Sequence, residues 1–172
     1  MKLIITGTPG TGKSAVARIL GQRLGIPVIT VKDLVRGEYI DTRKLRMKAL
    51  WTLRKMDRAI LEGHLFCEVK LPVDTVIVLR TDPEVLKRRL EPRNYPEKKI
   101  KENLMAEFLD YCLVRAASKY PQEKIWQIDT THRTAKETAE LIEKALRGGK
   151  RIYEEVDWSN KLEEWIRKGY IS

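Results

Sequence analysis

Only two cysteines stand in this 172-residue chain, Cys67 and Cys112, and neither belongs to a CxxC pair or to a metal-ligand spacing. Their scarcity argues against a disulfide-stapled scaffold or a thiolate-held zinc site and points to a reducing compartment. Long apolar runs are missing as well. No stretch approaches the roughly 18 residues that a membrane-spanning helix requires. The strand pattern begins at Lys2, which leaves no place for a cleavable signal, so the expectation is a soluble, cytoplasmic protein without a membrane partner. Internal repeats and low-complexity linkers are absent too.

What is present fits one domain. Hydrophobic residues make up 42% of the chain, enough for a real core, and 34% of residues are charged, which suits a salt-bridged surface. Lysine and arginine outnumber the acids 34 to 24, a net charge of +10. A surface this basic attracts phosphate groups, on nucleotides or on RNA, although solubilising cations alone produce the same balance.

The pattern along the chain alternates. Lys2–Thr6, Pro27–Val31, Ala59–Glu62, Thr75–Leu79 and Ile125–Asp129 read as short buried strands. Between them, apolar residues at helical spacing predict helices over Lys13–Leu24, from an Asp41 cap through Met56, from Asp82–Pro83, from Pro96 to about Ser118, and over Thr134–Leu146. A short amphipathic helix is expected over Trp158–Lys168. Strands that alternate with helices imply an α/β fold, a parallel sheet with helices on both faces.

Gly7-Thr8-Pro9-Gly10-Thr11-Gly12-Lys13-Ser14, with Ala15 following, satisfies G-x-x-x-x-G-K-S/T between a predicted strand and a predicted helix. Glycines let backbone N–H groups curl around phosphate oxygens where a side chain would obstruct them. Lys13 supplies a point charge to the β and γ phosphates, and the Ser14 hydroxyl completes a magnesium shell. The motif therefore calls for ATP and Mg²⁺.

An acid at the end of a neighbouring strand commonly faces that metal through water. Glu62 ends the third strand and is the candidate; the plain alternative is a carboxylate facing solvent. His64, two residues on, either orients a water or holds the loop as an ordinary hydrogen-bonded histidine. Arg89 and Arg93 lie four residues apart, one helical turn, and can grip a phosphoryl group in transfer. Pro92 places Arg93 at the base of a mobile loop. Arg36, after the second strand, is a candidate for an acceptor phosphate, with a surface ion pair as the alternative. The helix after Asp41 carries Arg43, Lys44, Arg46, Lys48, Arg54 and Lys55, either a solvated face or a resting place for RNA or a phosphorylated substrate.

Together, Gly7–Ser14, Asp33-Leu34-Val35-Arg36, Glu62-Gly63-His64, Val78-Leu79-Arg80-Thr81-Asp82 and Arg93-Asn94-Tyr95 with Glu97-Lys98-Lys99 resemble the adenylate kinase isoenzyme six family, in its compact archaeal branch. The resemblance runs over nearly the whole chain. It implies a P-loop fold with five parallel strands in a single domain over 1–172. An acceptor-binding segment is implied near 30–56, with Asp33 and Arg36 toward the nucleoside monophosphate, a lid near 92–102, and a helical tail over 150–172. It implies a nucleoside monophosphate kinase that converts ATP and AMP to two ADP, with ATP hydrolysis beside it. It also implies a role in small ribosomal subunit maturation, with a platform ribosomal protein and pre-rRNA as partners. Glu62 stands where that family often has aspartate, His64 matches its strand-end histidine, and Arg93 its lid arginine. Arg133, in Thr131-His132-Arg133, falls where the family flanks the adenine.

Overall fold

The computed structural model describes residues 1–171. Five strands form one sheet: β1 (Lys2–Gly7), β2 (Val28–Thr30), β3 (Ala59–Glu62), β4 (Thr75–Arg80) and β5 (Ile125–Asp129). The order across the sheet is β2-β3-β1-β4-β5, and every pairing is parallel. Central β1, β3 and β4 are buried along almost their whole length, as continuous apolar runs in a doubly covered parallel sheet should be. The chain leaves β1 with β3 on one side and β4 on the other, so the switch point of the sheet lies at the C-terminal end of β1. That is where the glycine-rich loop emerges.

Among the described residues eight α-helices complete the fold: α1 (Lys13–Leu24), α2 (Val31–Leu34), α3 (Thr42–Arg54), α4 (Pro83–Leu90), α5 (Glu97–Phe108), α6 (Tyr111–Ala117), α7 (Ala135–Gly148) and α8 (Ser159–Arg167). Their starts follow from local chemistry. Asp41 accepts from the Arg43 and Lys44 amides to begin α3, Asp82 and Pro83 begin α4, and Thr134 with Glu137 forms a reciprocal capping box on α7. Thr30 and Asp33 make the same box on α2, so Val31 opens a helix rather than extending β2 as the sequence pattern implied.

One expected element divides. The helix predicted from Pro96 to Ser118 breaks at Asp110, whose φ is 54°. Neither glycine nor proline marks the break. Its cause is Arg80 at the end of β4: the guanidinium donates to the Glu107 carbonyl at 3.1 Å and to the Asp110 carboxylate, capping α5 from the side.

Two cores sandwich the sheet. Ile4, Leu61, Val76 and Val78 meet Leu45, Ala49 and Leu53 of α3 on one face. On the other, Leu3, Ile5, Ile77 and Leu79 meet Val16 and Leu20 of α1 and Ile142 of α7. After α7 the chain runs back along β5, with the Gln127 amide donating to Ile152 O at 3.1 Å and the Glu154 amide to Gln127 O at 2.9 Å. The tail then docks α8 onto α4 and α5, where Trp165 and Ile171 join Leu86, Leu90, Leu104 and Phe108 in a third apolar cluster. Among the described residues no helix is long and apolar enough to cross a membrane.

Candidate functional site

The loop between β1 and α1 is shaped by glycines in positive-φ conformations. Gly7, Gly10 and Gly12 have φ of 151°, 95° and 92°. A Cβ on Gly7 would fall 2.6 Å from the Leu79 carbonyl oxygen, and one on Gly10 would fall 2.8 Å from a Leu86 methyl. Only glycine leaves this cradle open. The Thr8 carbonyl organises its interior, accepting from the Thr11 amide at 3.2 Å, the Thr11 hydroxyl at 2.8 Å and Lys13 Nζ at 3.3 Å. Burial pulls the Lys13 pKa below the usual lysine value, and the nearby Glu62 charge opposes that shift.

Two cavities flank the loop. One, of about 370 Å³, is bounded by Gly10, Thr11 and Gly12 together with Arg89, Arg93 and Arg133. The other, of about 810 Å³, opens on the far side of Lys13 and Ser14, with Glu62 and His64 at its back. Register places Glu62 beside Ile5 on the neighbouring strand, at the same C-terminal end of the strands as the loop. The sequence candidates thus divide by side: loop backbone and arginines on one, Lys13, Ser14, Glu62 and His64 on the other.

The arginines differ in their ties. Arg89 donates to Thr130 O at 3.1 Å and to Gly10 O at 3.5 Å, clasping the glycine loop to the segment after β5. Arg93 ends a 3₁₀ turn (Glu91–Arg93) after α4 and is exposed above the same cavity. The chain thus stays helical from Arg89 through Arg93, past Pro92, and both arginines border one cavity. Arg133 is held by the Glu154 carboxylate, at 2.6 and 2.7 Å, and by the Asp129 carbonyl at 3.0 Å.

His64 is mostly enclosed. Its Nδ1 lies 3.2 Å from Gly7 O and 3.3 Å from Cys112 Sγ, and its ring stacks on Tyr111. Burial and the Lys13 charge push its pKa below the ordinary histidine value, partly opposed by the Gly7 carbonyl. A neutral imidazole that donates from Nδ1 to Gly7 O fixes the start of the phosphate loop.

Asp33 and Arg36 stand apart from this constellation. The Asp33 carboxylate accepts from the Thr30 amide at 2.7 Å and the Thr30 hydroxyl at 2.9 Å, and Arg36 lies exposed beyond α2; neither borders the larger cavity. Cations that sequence reasoning passed over do border it: Arg18, Lys32 and Lys99. Arg18 carried a signal, being one helical turn from Ser14. Lys99 stood within the lid segment 92–102, but only the fold brings the start of α5 over this side.

The residues fit ATP and magnesium. The glycine cradle suits phosphate oxygens, and Ser14 with Glu62 offers hard oxygen donors around one space. Among the described residues no cluster of three histidine, cysteine or acidic side chains forms a self-sufficient metal cage. Magnesium normally takes few protein ligands, with phosphates and waters completing its octahedron.

Comparison with known proteins agrees. Residues 3–110 match the family described as an AAA domain. A protein named "Putative adenylate kinase" from Methanocaldococcus jannaschii is 35% identical, with 96% of this chain and 97% of the relative covered. Its namesake from Archaeoglobus fulgidus is 38% identical over 98% of this chain and 97% of its own. Among solved structures, the YorR protein from Bacillus subtilis, in complex with phosphorylated GDP, aligns with a TM-score of 0.62 at 19% identity, over 86% of this chain and 96% of that one. Deoxyadenosine kinase from M. mycoides with bound dATP gives 0.62 at 18% identity, over 86% and 100%. At such identities the structural likeness speaks for the fold alone: a P-loop kinase fold. With relatives above 30% identity along nearly its whole length, the chain belongs to the family of these archaeal adenylate kinase proteins.

Proposed function

We propose that this protein is an ATP-dependent nucleoside monophosphate kinase that transfers the terminal phosphate of ATP to AMP or a related monophosphate. The observation that carries the reading is the pair of cavities on opposite sides of one phosphate loop. A donor needs one of them, and the larger is left for a second substrate. The names of the archaeal relatives support the same activity.

In this reading the loop amides and Lys13 hold the β and γ phosphates, and Arg133 lies on the adenine side of the donor cavity. Ser14, and Glu62 through water, would hold magnesium, which when bound would supply charge neutralisation at the phosphate oxygens. Arg89 and Arg93 offset the charge that develops on the phosphoryl group in flight. Lys32, Arg18 and Lys99 attract the acceptor phosphate, with Asp33 and Arg36 belonging to the wall that closes over it. Segments 30–56 and 92–102 act as acceptor-binding flap and lid, and their closure excludes water from the transfer.

The decisive experiment is ³¹P NMR of the protein with Mg-ATP, with and without AMP. ADP that accumulates at the expense of both ATP and AMP, without matching inorganic phosphate, establishes the kinase. Inorganic phosphate that rises regardless of AMP makes water the acceptor and overturns the assignment.

A second reading, an ATPase in small ribosomal subunit maturation that acts on a platform ribosomal protein or pre-rRNA, draws on α3. Arg43, Lys44, Lys48 and Arg54 are exposed there beside Trp51 and Met47, and no ion pair among the described residues includes them. Hydrolysis stimulated by small-subunit precursors favours this role; a flat response removes it.

A further inference from the structure

The phosphate loop is anchored from below by a carboxylate that no motif contains. Glu107, near the end of α5, is 2% exposed. Its Oε2 accepts from the Thr8 hydroxyl at 2.8 Å. Its Oε1 accepts from Arg80 Nε at 2.8 Å, from the Thr81 amide at 3.1 Å and from Trp158 Nε1 at 3.3 Å. One buried side chain thereby joins the loop, the end of β4 and the C-terminal tail.

Each arm has a consequence. Thr8 is the residue whose carbonyl receives Lys13 Nζ and both Thr11 donors, so pinning the Thr8 side chain sets where Lys13 starts from. Arg80, 1% exposed, keeps the Glu107 carboxylate paired and is itself held by Gln127 Oε1 at 2.9 Å. The Gln127 amide group donates to the Glu154 carbonyl at 2.7 Å, and the Glu154 carboxylate holds Arg133. The route returns to the cavity on its other wall. Trp158, finally, stands immediately before α8, whose Trp165 packs edge-on against Phe108, the neighbour of Glu107 in sequence.

We infer that Glu107 is a positioning residue for the phosphate loop and that, through Trp158, it couples nucleotide occupancy of the loop to the C-terminal segment. When bound phosphate draws Lys13 from the Thr8 carbonyl, the Thr8 hydroxyl bond to Glu107 must adjust. The indole N–H, which shares that carboxylate, adjusts with it. Buried charge-assisted hydrogen bonds have strict geometric demands, so a small shift at one donor is felt at the others. The inference rests on nucleotide binding at the loop, whichever acceptor the enzyme uses.

The test uses the full chain and a binding readout, so it stands apart from the kinase assignment. Thr8→Val removes the hydroxyl, keeps the shape, and leaves the Arg80–Glu107 pair intact. Calorimetric titration with Mg-ATP should show about tenfold weaker binding than wild type, the scale of one hydrogen bond to a charged group. AMP binding in the absence of ATP should stay near the wild-type value, while the melting temperature should fall by several degrees, because Glu107 Oε2 is left buried without its donor. Trp158→Phe removes the indole N–H together with the pyrrole half of the ring and its emission; with Trp51, Trp126 and Trp165 still reporting, it should retain the fold but lose the change in tryptophan emission that Mg-ATP produces in the wild type. Glu107→Gln should combine both defects, and if it fails to fold the first two variants still decide. Wild-type ATP affinity in Thr8→Val, or an equal loss for AMP, overturns the positioning role. A wild-type emission change in Trp158→Phe, or no emission change in the wild type itself, overturns the coupling.

Discussion

Replacing the loop glycines one at a time by alanine should produce graded losses of stability, because their surroundings differ although all three have positive φ. Gly12, with φ 92°, would place a Cβ in open space. Its cost is backbone strain alone, about 2 kcal/mol. Gly10 adds overlap with a Leu86 methyl at 2.8 Å and a Leu90 methyl at 3.1 Å, both ends of flexible side chains that can retreat. Gly7 adds overlap with the Leu79 carbonyl oxygen at 2.6 Å. That oxygen belongs to a central strand and cannot yield without disturbing the β1–β4 ladder, where Gly7 pairs with Leu79. Overpacking of this kind costs a further 1–3 kcal/mol, roughly, which brings Gly7→Ala to about 4 kcal/mol.

Urea unfolding without nucleotide reads this order directly. With a slope of about 2 kcal/mol per molar for a domain of this size, Gly7→Ala should unfold roughly 1 M earlier than Gly12→Ala, with Gly10→Ala between them. Equal midpoints for Gly7→Ala and Gly12→Ala would refute the reasoning, since they would mean that the close approach to Leu79 has no energetic weight.

Arg18→Ala should raise the KM for the acceptor monophosphate about tenfold while leaving that for ATP within a factor of about two, and Arg36→Ala should do less, because only Arg18 borders the larger cavity; steady-state kinetics with each substrate varied separates them, and the reverse order would relocate the acceptor. Lys13→Met should abolish ATP binding yet raise the melting temperature of the nucleotide-free protein, since a buried ammonium whose pKa is lowered by burial is removed; a lower melting temperature would mean that the Thr8 carbonyl compensates for the burial. The folded-state pKa of His64 lies below its unfolded value of 6.5, so its contribution is complete above pH 6.5 and is lost as pH falls through the folded value. His64→Asn should therefore lose less stability than the wild type on acidification from pH 6.5, and parallel denaturation curves for the two proteins would rule out that contribution.

The phosphate loop was legible because it is a contiguous device: glycine spacing, Lys13 and Ser14 act within one turn of chain, and the alternation of apolar strands and helices around them fixes an α/β sheet. Helix starts at Asp41, Asp82 and Thr134 were legible for the same reason, since a cap satisfies amides two or three residues away. The helix break at Asp110 was not, because its cause is Arg80, 30 residues upstream in sequence and adjacent only once β4 and α5 pack. Lys99 reaches the larger cavity by the same route, and Glu107 meets Thr8 across 99 residues. Local sequence determined which residues handle phosphate, through backbone chemistry confined to a few neighbours. Tertiary structure decided which charges stand behind them, because burial and pairing of a charged group depend on partners that the chain brings together only by folding.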